Sequence, residues 1–502
     1  MFRCGRKRLL HPRGKDNHMM ERKIRTPSWT PARILTAIGI AIVTLLTGLA
    51  IFVGVFSDML INRYAKDKIE QGFDEAVPGY ALRIGSIHYN IVKNYTECLA
   101  VSLSAADSSL LCTAESFTVS EIGWKQLFFS RALSPAVVKQ SVLTANRVIL
   151  QLPASRFEVS FTRMQISMPD SELTANAGVM AFDKTRYQLR CGLLYASARD
   201  SLVSAEGIQL VPLTTDEDFF AASKYRRTRV RMTVAQAYIK HVSFLTLLQR
   251  RKLSARLIDI VQPTINLLVN RNKVPDPNSA RPLMPAEALA RVGKTIGLDT
   301  ITVQGGSFVY GERLQETGKT GIITFDSVQL RILGLGTAPN TIAVVHASGR
   351  LMNAGVMSVV MKIPMTPEAF SLSYHGTLSA MDCTTLNRFL ETAEHTRITS
   401  GKLQDAAFDV HVAHGQSTGN VKVIYNDLYI TVLDKKTGSK NGLGDILTTF
   451  VANIIKIRGS NLPDKSGAVA IGKVTYTRKP MDTFMNIAWF SLRSGTGDLV
   501  GF

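Results

Sequence analysis

The sequence predicts a mainly β protein, more narrowly a β-rich α+β chain, with an N-terminal transmembrane helix and a few short helices. Residues 34–57 carry no charged side chain, which is typical of a membrane-spanning helix. After Pro78, apolar residues such as Leu99, Val101 and Leu103 alternate with small or polar ones in short runs broken by Gly, Asn, Asp and Ser. Such runs are typical of antiparallel strands.

The composition is that of a globular protein in contact with membrane or lipid. Of the 502 residues, 45% are apolar and 20% are charged, and the net charge is +20. These values exclude a disordered tail protein, a collagen-like fibre and a small disulfide scaffold. The charged fraction lies below the ~25% of soluble domains, which favours contact with lipid.

The charges of residues 1–33 set the predicted topology. This segment holds ten basic and two acidic side chains, and positive charge stays on the cytoplasmic side of a membrane helix. We therefore expect a cytoplasmic basic tail over 1–33, an anchor over 34–57 and export of everything that follows. The exported part is still basic, so anionic lipid head groups or surface polymers are open as partners, whereas nucleic acid is not expected.

A membrane anchor and a cleaved signal peptide are the two interpretations of the uncharged run. The apolar region of a signal peptide should be about 7–15 residues long and end in a small-x-small site. The run here is longer and offers a poor site, which favours the anchor, and a start at Met1, Met19 or Met20 retains it. The side chains expected to anchor the chain are Ile34, Leu45, Leu46, Phe52 and Phe56.

Prolines divide the exported part into two predicted β-rich units. Four of them lie in a polar stretch at 271–288, which predicts a linker. The expected parts are a first β-rich unit, the Pro-rich linker, a second β-rich unit and a C-terminal amphipathic segment, at 58–270, 271–288, 289–480 and 481–502. Short helices are expected near 240–256, 284–295, 382–395 and 443–457.

Two segments have alternative interpretations. One basic run is either a solvated face or a set of contacts for anionic head groups, near which each cation contributes about 1 kcal/mol. Its arginines are Arg226, Arg227, Arg229 and Arg231. The C-terminal segment at 481–502, which contains Trp489 between two Phe residues, suits a membrane interface, a partner surface or ordinary terminal packing.

Catalytic motifs are represented only by near misses. Gly318-Lys319-Thr320 resembles the end of a P-loop, but Arg313 stands where that loop needs a glycine, so a hairpin turn is the simpler interpretation. His411 and His414 lie three apart in a strand-like run and point to opposite faces, which makes them poor co-ligands for a metal. We therefore expect no catalytic residue, no metal, no cofactor and no enzyme activity. An exported enzyme with a site assembled from distant polar residues is the rival hypothesis.

Two cysteines form a candidate disulfide. If residues 94–119 form a hairpin centred on Ala105, Cys98 lies opposite Cys112 at a spacing that suits a disulfide, and an exported chain meets oxidising conditions. A shift of one residue in the register removes the pairing. Two unpaired thiols on a sheet are the alternative.

The order of the elements carries a family resemblance. A basic tail and a single anchor lead into a helix, then Leu82-Arg83-Ile84-Gly85-Ser86-Ile87, and after a strand pair the stretch Val119 to Leu127. Strand-rich blocks follow, one from Leu298 to Phe325 and one from Gly419 to Ile430. Over most of its length the chain resembles the AsmA-like proteins, relatives of the bridge-like lipid-transfer superfamily.

The resemblance implies a fold, a function and a location. The implied fold is an elongated, twisted antiparallel sheet that curls so that one face forms an apolar groove for acyl chains. The implied function is to bind phospholipid or move it between envelope membranes. The implied location is the bacterial inner membrane, with the N-terminus cytoplasmic and the bulk of the chain periplasmic. Phospholipid, the inner membrane and outer-membrane or envelope proteins are the implied partners.

Alternation of period two does not decide whether the apolar face forms a groove, because the core of a β-sandwich gives the same pattern. The alternative function is a scaffold or assembly factor for outer-membrane biogenesis that carries no lipid, which predicts apolar faces that pair with one another. Some 25–30 strands at ~4.8 Å spacing would make a sheet of about 120–145 Å at most. If Leu103 lines the groove, Leu103→Glu should abolish lipid binding without unfolding the chain.

Overall fold

A computed structural model describes a mainly β protein. The described residues are 40–49, 66–90, 95–120, 141–153, 157–182, 186–244, 246, 252–292, 295–314, 319–366, 370–433 and 458–501. They contain one long, twisted, mixed sheet of twenty strands, which confirms the predicted fold class at this level. The chain divides into two compact units, Met1–Leu60 and Ile61–Phe502, and every described strand belongs to the second.

The described helices are short. Helix α1 covers residues 40–49 of the first unit. The helices of the second unit are α2 Lys66–Ala76, α3 Asp216–Ala221, α4 Pro285–Ala290, α5 Asn387–Ala393 and α6 Phe484–Val500, and a 3-10 turn at Cys383–Leu386 leads into α5. Helices α4 and α5 confirm two predicted helices, whereas residues 252–256 of the helix predicted over 240–256 form a strand instead, and 443–457 lie outside the described residues.

Strands of about ten residues alternate with short connections through most of the second unit. In the first half they are β1 Tyr80–Arg83, β2 Ser86–Asn90, β3 Tyr95–Ala105, β4 Leu111–Ser120, β5 Val142–Leu152, β6 Phe157–Ser167, β7 Glu172–Phe182, β8 Tyr187–Ser197, β9 Leu202–Pro212 and β10 Thr228–Lys240. In the second half they are β11 Lys252–Val261, β12 Thr264–Asn270, β13 Thr295–Arg313, β14 Thr320–Gly336, β15 Ile342–Leu351, β16 Gly355–Pro364, β17 Leu372–Asp382, β18 Thr396–Ala413, β19 Gln416–Val432 and β20 Ile471–Thr477. The hairpin of β13 and β14 confirms the hairpin predicted around Lys319 and Thr320.

The strands follow one another across the sheet in chain order. β1 and β2 lie end to end along β3, and β3 to β10 are antiparallel neighbours. β11 and β12 lie end to end along β10 in the same way. From β14 onward each strand is antiparallel to the one before it.

Strand β13 makes the sheet mixed, because it runs parallel to both β11 and β12. Parallel neighbours need a crossover connection, and the chain between β12 and β13, which includes α4, supplies it. The antiparallel sheet expected above is therefore corrected to a mixed one. The predicted linker at 271–288 lies in this crossover, and the two predicted β-rich units share one sheet.

The twenty strands fill 18 positions, because β1 and β2 share one position and β11 and β12 share another. At ~4.8 Å spacing the described sheet measures roughly 80 Å across its strands. This is shorter than the expected 120–145 Å, because long strands use more of the chain: β13 has 19 residues and β18 has 18.

The predicted anchor is described only in part. Leu45 and Leu46 lie on α1 and are 72% and 56% exposed, whereas Ile34, Phe52 and Phe56 lie outside the described residues. Among the described residues, no helix has the length and apolar character needed to cross a membrane. The anchor over 34–57 stays a prediction.

Helix α2 caps the first edge of the sheet. The backbone N–H of Ile84 donates to Glu70 Oε1 at 2.7 Å, and the N–H of Leu82 donates to Asp74 Oδ1 at 3.2 Å. Arg83 donates to the other oxygen of Asp74 at 3.1 Å, and this hydrogen bond lowers the pKa of the Asp74 carboxyl. Because unpaired edge amides are templates for a further strand, these contacts protect the edge.

Helix α6 caps the opposite edge in the same manner. The N–H of Lys473 on β20 donates to Asp498 Oδ2 at 2.8 Å, and the N–H of Thr475 donates to Ser494 Oγ at 3.2 Å. Both ends of the sheet therefore have amides that are taken up by side chains of a helix rather than by another strand.

Removing the α2 cap should allow edge-to-edge association. The double variant Glu70→Ala/Asp74→Ala leaves two edge amides open to a strand of a second copy. We expect the mass measured by analytical ultracentrifugation to rise with concentration more steeply than for the unaltered chain. Glu75→Ala, an exposed position on the same helix, is the control. An unchanged mass for the double variant would show that these caps do not prevent association.

Candidate functional site

One face of the sheet is apolar across its full width. Consecutive side chains of a strand point to opposite faces, and the register therefore assigns residues to faces. A row of directly paired residues takes one member from each of the 18 positions, and only Thr96 and Gly419 in it are not apolar. This long row is Tyr89, Thr96, Val119, Leu143, Ile166, Leu173, Ala196, Val203, Ile239, Ile258, Ile301, Ile332, Val345, Met361, Tyr374, Val410, Gly419 and Val474.

A second apolar row crosses the first part of the sheet, nearer the other ends of the strands. This short row is Leu82, Leu103, Cys112, Leu150, Val159, Met180, Leu189, Leu210, Met232, Ile265, Phe308, Phe325 and Leu351. Leu103, the residue named from the sequence, is a member. The apolar side chains between the rows pack together. Cys98 and Val101 belong to one hydrophobic cluster, and Val303 Cγ1 lies 3.2 Å from the position that a Cβ would take if Gly306 had one. Residues three apart thus share a face here, which places both rows on the same face.

A line of left-handed residues crosses the sheet between the two rows. Their φ angles lie between 47° and 64°, and in register they fall on one line through β3, β5, β7, β9, the β11–β12 junction and β13. The residues are Ala100, Arg147, Ala177, Gly207, Gln262 and Gly305. This conformation is uncommon for residues other than glycine and interrupts the extended backbone, so it bends a strand.

The line is exposed, whereas neighbouring positions on the apolar face are buried. All six left-handed residues are exposed, and so is Glu115, which pairs with Arg147 along the line at 2.8 Å. On the apolar face close by, Val148, Ala175 and Val234 are 6%, 1% and 6% exposed. The line therefore lies on the face opposite to the apolar rows.

This line of left-handed residues was not predicted, although the sequence contains a signal for it. Along β6 the apolar positions advance by two up to Phe161 and then by three to Met164. The same step of three occurs in β8, from Cys191 to Leu194. Because a uniform strand keeps its period of two, a step of three in the middle of successive strands indicates a bend at the same level in each.

Described helices cover only part of the apolar face. Helix α6 packs on the last strands, where Tyr374, Val410 and Val474 of the long row are 2%, 0% and 2% exposed. Leu143 and Leu173, in the middle of the first half, are only half-buried. The described helices pack on the strands that flank this region. Leu289 of α4 shares a cluster with Val203 and Ile239 of the long row, and α3 packs on the start of β8. The first half of the apolar face is thus the part that offers apolar surface.

A cavity of about 860 Å³ lies over β13–β18 but on the other face. Three consecutive residues from each strand line it. In each strand the middle residue of the three, such as Val303 or Leu330, belongs to the apolar face. The two residues that flank it belong to the other face, and the exposed His346 and His375 are among them. Residues two positions from the middle one, such as Ile332, share its face and do not line the cavity. The cavity therefore opens on the polar face and is separate from the two rows.

The predicted head-group arginines make several contacts within the chain. Arg226 donates through Nε to Lys273 O at 3.0 Å, and Arg227 donates through Nε to Ser223 Oγ at 3.0 Å. The Arg227 side chain belongs to an exposed residue, whereas Arg226 is half-buried. These contacts tie the start of β10 to its neighbours, and a head-group role for the pair stays a prediction.

Arg229 and Arg231 share one carboxylate. Arg229 is buried, places Nε and Nη2 3.0 and 3.1 Å from the oxygens of Asp216, and donates through Nη1 to Asn266 Oδ1 at 2.7 Å. Burial lowers the pKa of its guanidinium, and Asp216 opposes that shift. Arg231, half-exposed, lies 2.8 Å from the same Asp216. Arg229 thus fastens α3 to the sheet, and Arg231 is the more available of the two to an outside anion.

The candidate disulfide between Cys98 and Cys112 does not form in this register. In the hairpin of β3 and β4, Cys98 pairs with Phe117 and Cys112 pairs with Leu103, and both thiols are free. The hairpin turns after Ala105 instead of being centred on it, which moves the two cysteines apart along the strands. The alternative of two unpaired thiols on a sheet is the one observed.

The Cys98 thiol should be almost unreactive in the folded chain. It is 6% exposed, and burial, followed by the charge of Glu97, raises its pKa from 9.0 to about 11. At pH 8 the thiolate, which is the reactive form, is therefore about 100-fold scarcer than for an ordinary cysteine. Alkylation by iodoacetamide, followed by mass spectrometry, should be slower by at least that factor than after unfolding, and should rise tenfold per pH unit up to about pH 11. Labelling at the unfolded rate would contradict the burial.

Comparison with protein-family models and with curated proteins finds no match to this chain. In the described part of the chain, no group of three or more His, Cys, Asp or Glu side chains is placed to hold a metal ion. His411, one of the two histidines weighed above, lies 3.0 Å from Asp409 on the exposed side of β18. The two apolar rows are the candidate functional site.

Proposed function

We propose that the protein is an AsmA-like, membrane-anchored carrier of the bacterial envelope that binds phospholipid by its acyl chains and moves it between envelope membranes. In this proposal the anchor at 34–57 lies in the inner membrane and the sheet lies in the periplasm. The observation that carries the proposal is the apolar face, with a long row through all 18 strand positions in which only Thr96 and Gly419 are not apolar. Burying an acyl chain gains about 0.8 kcal/mol per CH₂. On a continuous apolar row the acyl chain keeps that gain as it moves from one strand to the next.

The line of left-handed residues supports a groove. The line runs between the two rows, and its own side is exposed. A sheet bent along such a line, with the exposed side outward, turns the long row and the short row toward each other as two apolar walls. Acyl chains then lie between the walls while head groups remain in water at the open rim.

The arrangement of the sheet favours this function over a scaffold without lipid. The scaffold alternative expects apolar faces that pair with one another. All described strands belong to one sheet, so no second sheet among the described residues covers the apolar face between β4 and β10. Lipid is an occupant that suits this half-buried surface.

Photo-crosslinking in the intact chain, in its membrane, tests the proposal. Benzoylphenylalanine in place of Ile166 or Leu189, on the apolar face, should form phospholipid adducts that mass spectrometry identifies. The same group in place of Gln165 or Gln188, on the other face of the same strands, should form few. Equal adducts at all four positions, or none at any of them, would count against the carrier.

A further inference from the structure

We propose that the exposed face of α6 is a contact site for a second membrane surface that carries anionic head groups. The inference rests on the proposed carrier function and adds the place where lipid would be exchanged. It starts from three exposed apolar side chains: Met481 is 50% exposed, Met485 63% and Trp489 52%. Met485 and Trp489 are four residues apart and share one face of α6, and Met481 lies just before its N-cap, Thr483.

Packing fixes the direction in which this face points. Ile487 and Ser491 of α6 are both 0% exposed, and Ser491 Oγ donates to Ser417 Oγ at 2.7 Å. The hydroxyl of Tyr374 donates to Ala488 O at 2.7 Å within the core. Because the opposite side of the helix is held in this way, Met485 and Trp489 cannot turn inward and remain on the surface.

The charge around α6 complements an anionic surface. Residues 458–501 contain six basic and three acidic side chains, and Lys465, Lys473 and Lys479 are exposed. The acidic groups are engaged within the chain: Asp482 Oδ2, for example, accepts from Lys479 N–H at 2.6 Å and belongs to a residue that is 6% exposed. Exposed lysines in the same segment as an exposed Trp are typical of a surface that lies against head groups.

The size of the apolar patch favours a membrane over a protein partner. At about 200–250 Å² for each whole residue, the three exposed fractions expose roughly 350–400 Å². A stable protein interface buries about 800 Å² on each partner. Insertion of a few large side chains between lipid head groups needs no more area than the patch offers.

The patch also lies at the far end of the sheet. Helix α6 packs on β20, whereas α2 packs on β1, at the other end of the 18 positions. Lipid that moves along the apolar face away from the α2 end would meet α6, which covers the face at the last strands. A membrane contact at α6 is therefore placed where a carried lipid leaves or enters.

The test is capture of acceptor vesicles by the full chain. The chain, with Trp29→Phe and Trp124→Phe so that Trp489 is the one remaining tryptophan, is reconstituted in phosphatidylcholine vesicles. Acceptor vesicles contain brominated phosphatidylcholine, with or without phosphatidylglycerol. We expect the acceptors to quench Trp489 fluorescence, and phosphatidylglycerol to strengthen capture by about fivefold for each lysine that takes part. In the original background, Met485→Ala/Trp489→Ala should lower capture at least tenfold.

A matched variant and a second readout make the outcomes distinct. Ile342→Ala/Val356→Ala removes similar apolar surface from positions that are 52% and 44% exposed elsewhere on the sheet, and it should not change capture. Capture that survives Met485→Ala/Trp489→Ala, or acceptors that do not quench Trp489, would overturn the inference. Phospholipid adducts at Ile166 should persist in the α6 variant. If the unaltered chain forms these adducts but captures no vesicle, the α6 contact fails alone, and if the unaltered chain forms no adducts either, the carrier fails with it.

Discussion

Ile166→Glu should remove most of the bound phospholipid and leave the sheet folded. Ile166 is a half-buried member of the long row on β6, paired with Leu143 and Leu173. A carboxylate among acyl chains costs about 2.5–3.5 kcal/mol, which is on the order of a 100-fold loss of binding. The measurement is the yield of phospholipid adducts with benzoylphenylalanine at Leu189, two strands away, together with circular dichroism to confirm the fold.

The adjacent residue is the matched control for this prediction. Gln165→Glu introduces the same charge on the same strand, but on the other face, and should leave the adduct yield unchanged. Leu103→Glu, in the short row, should reproduce the loss if the two rows line one groove. Equal losses in Ile166→Glu and Gln165→Glu would show that the charge acts on the whole protein rather than on one face.

The fold class could be predicted because apolar residues alternate with small or polar ones in short runs of the sequence. In the run Leu99, Val101 and Leu103, the structure places Val101 and Leu103 on the apolar side, whereas the left-handed Ala100 moves Leu99 to the other face. The parallel pairing of β13 could not be predicted, because it depends on a long crossover that brings distant strands together. Its proline-rich stretch has the composition of a linker, and α4 uses Pro285 as its first residue.

Register explains why the candidate site was only partly predicted. The pairing of Cys98 with Cys112 depended on the centre of one hairpin, and a shift of the turn separated them. The apolar rows depend on a series of such registers, each set by its own turn, so that no single strand contains them. The burial of single side chains could not be predicted either. Arg229 lies in a basic run that is typical of a solvated face, yet the structure buries it against Asp216.

Gly472→Ala should detach α6 from β20. A Cβ on Gly472 would lie 1.9 Å from Gly495 O and 3.0 Å from Leu499 Cβ, both on α6. Backbone atoms of a packed helix cannot give way locally, and overpacking of this kind costs about 3 kcal/mol. Hydrogen exchange should therefore accelerate across α6 on the order of 100-fold, because exchange there follows the free energy of local opening.

Another glycine of the same segment provides the control. Gly459→Ala places its Cβ 3.6 Å from Leu428 O, an ordinary contact, and should leave exchange in α6 unchanged. If Gly472→Ala also leaves it unchanged, close packing does not hold α6 on the sheet. If α6 detaches, Val410 and Val474 at the end of the long row lose their cover, while the rows between β4 and β10, which α6 does not cover, are unchanged. Adducts at Ile166 should then persist, because α6 closes one end of the apolar face and does not form the part that holds lipid.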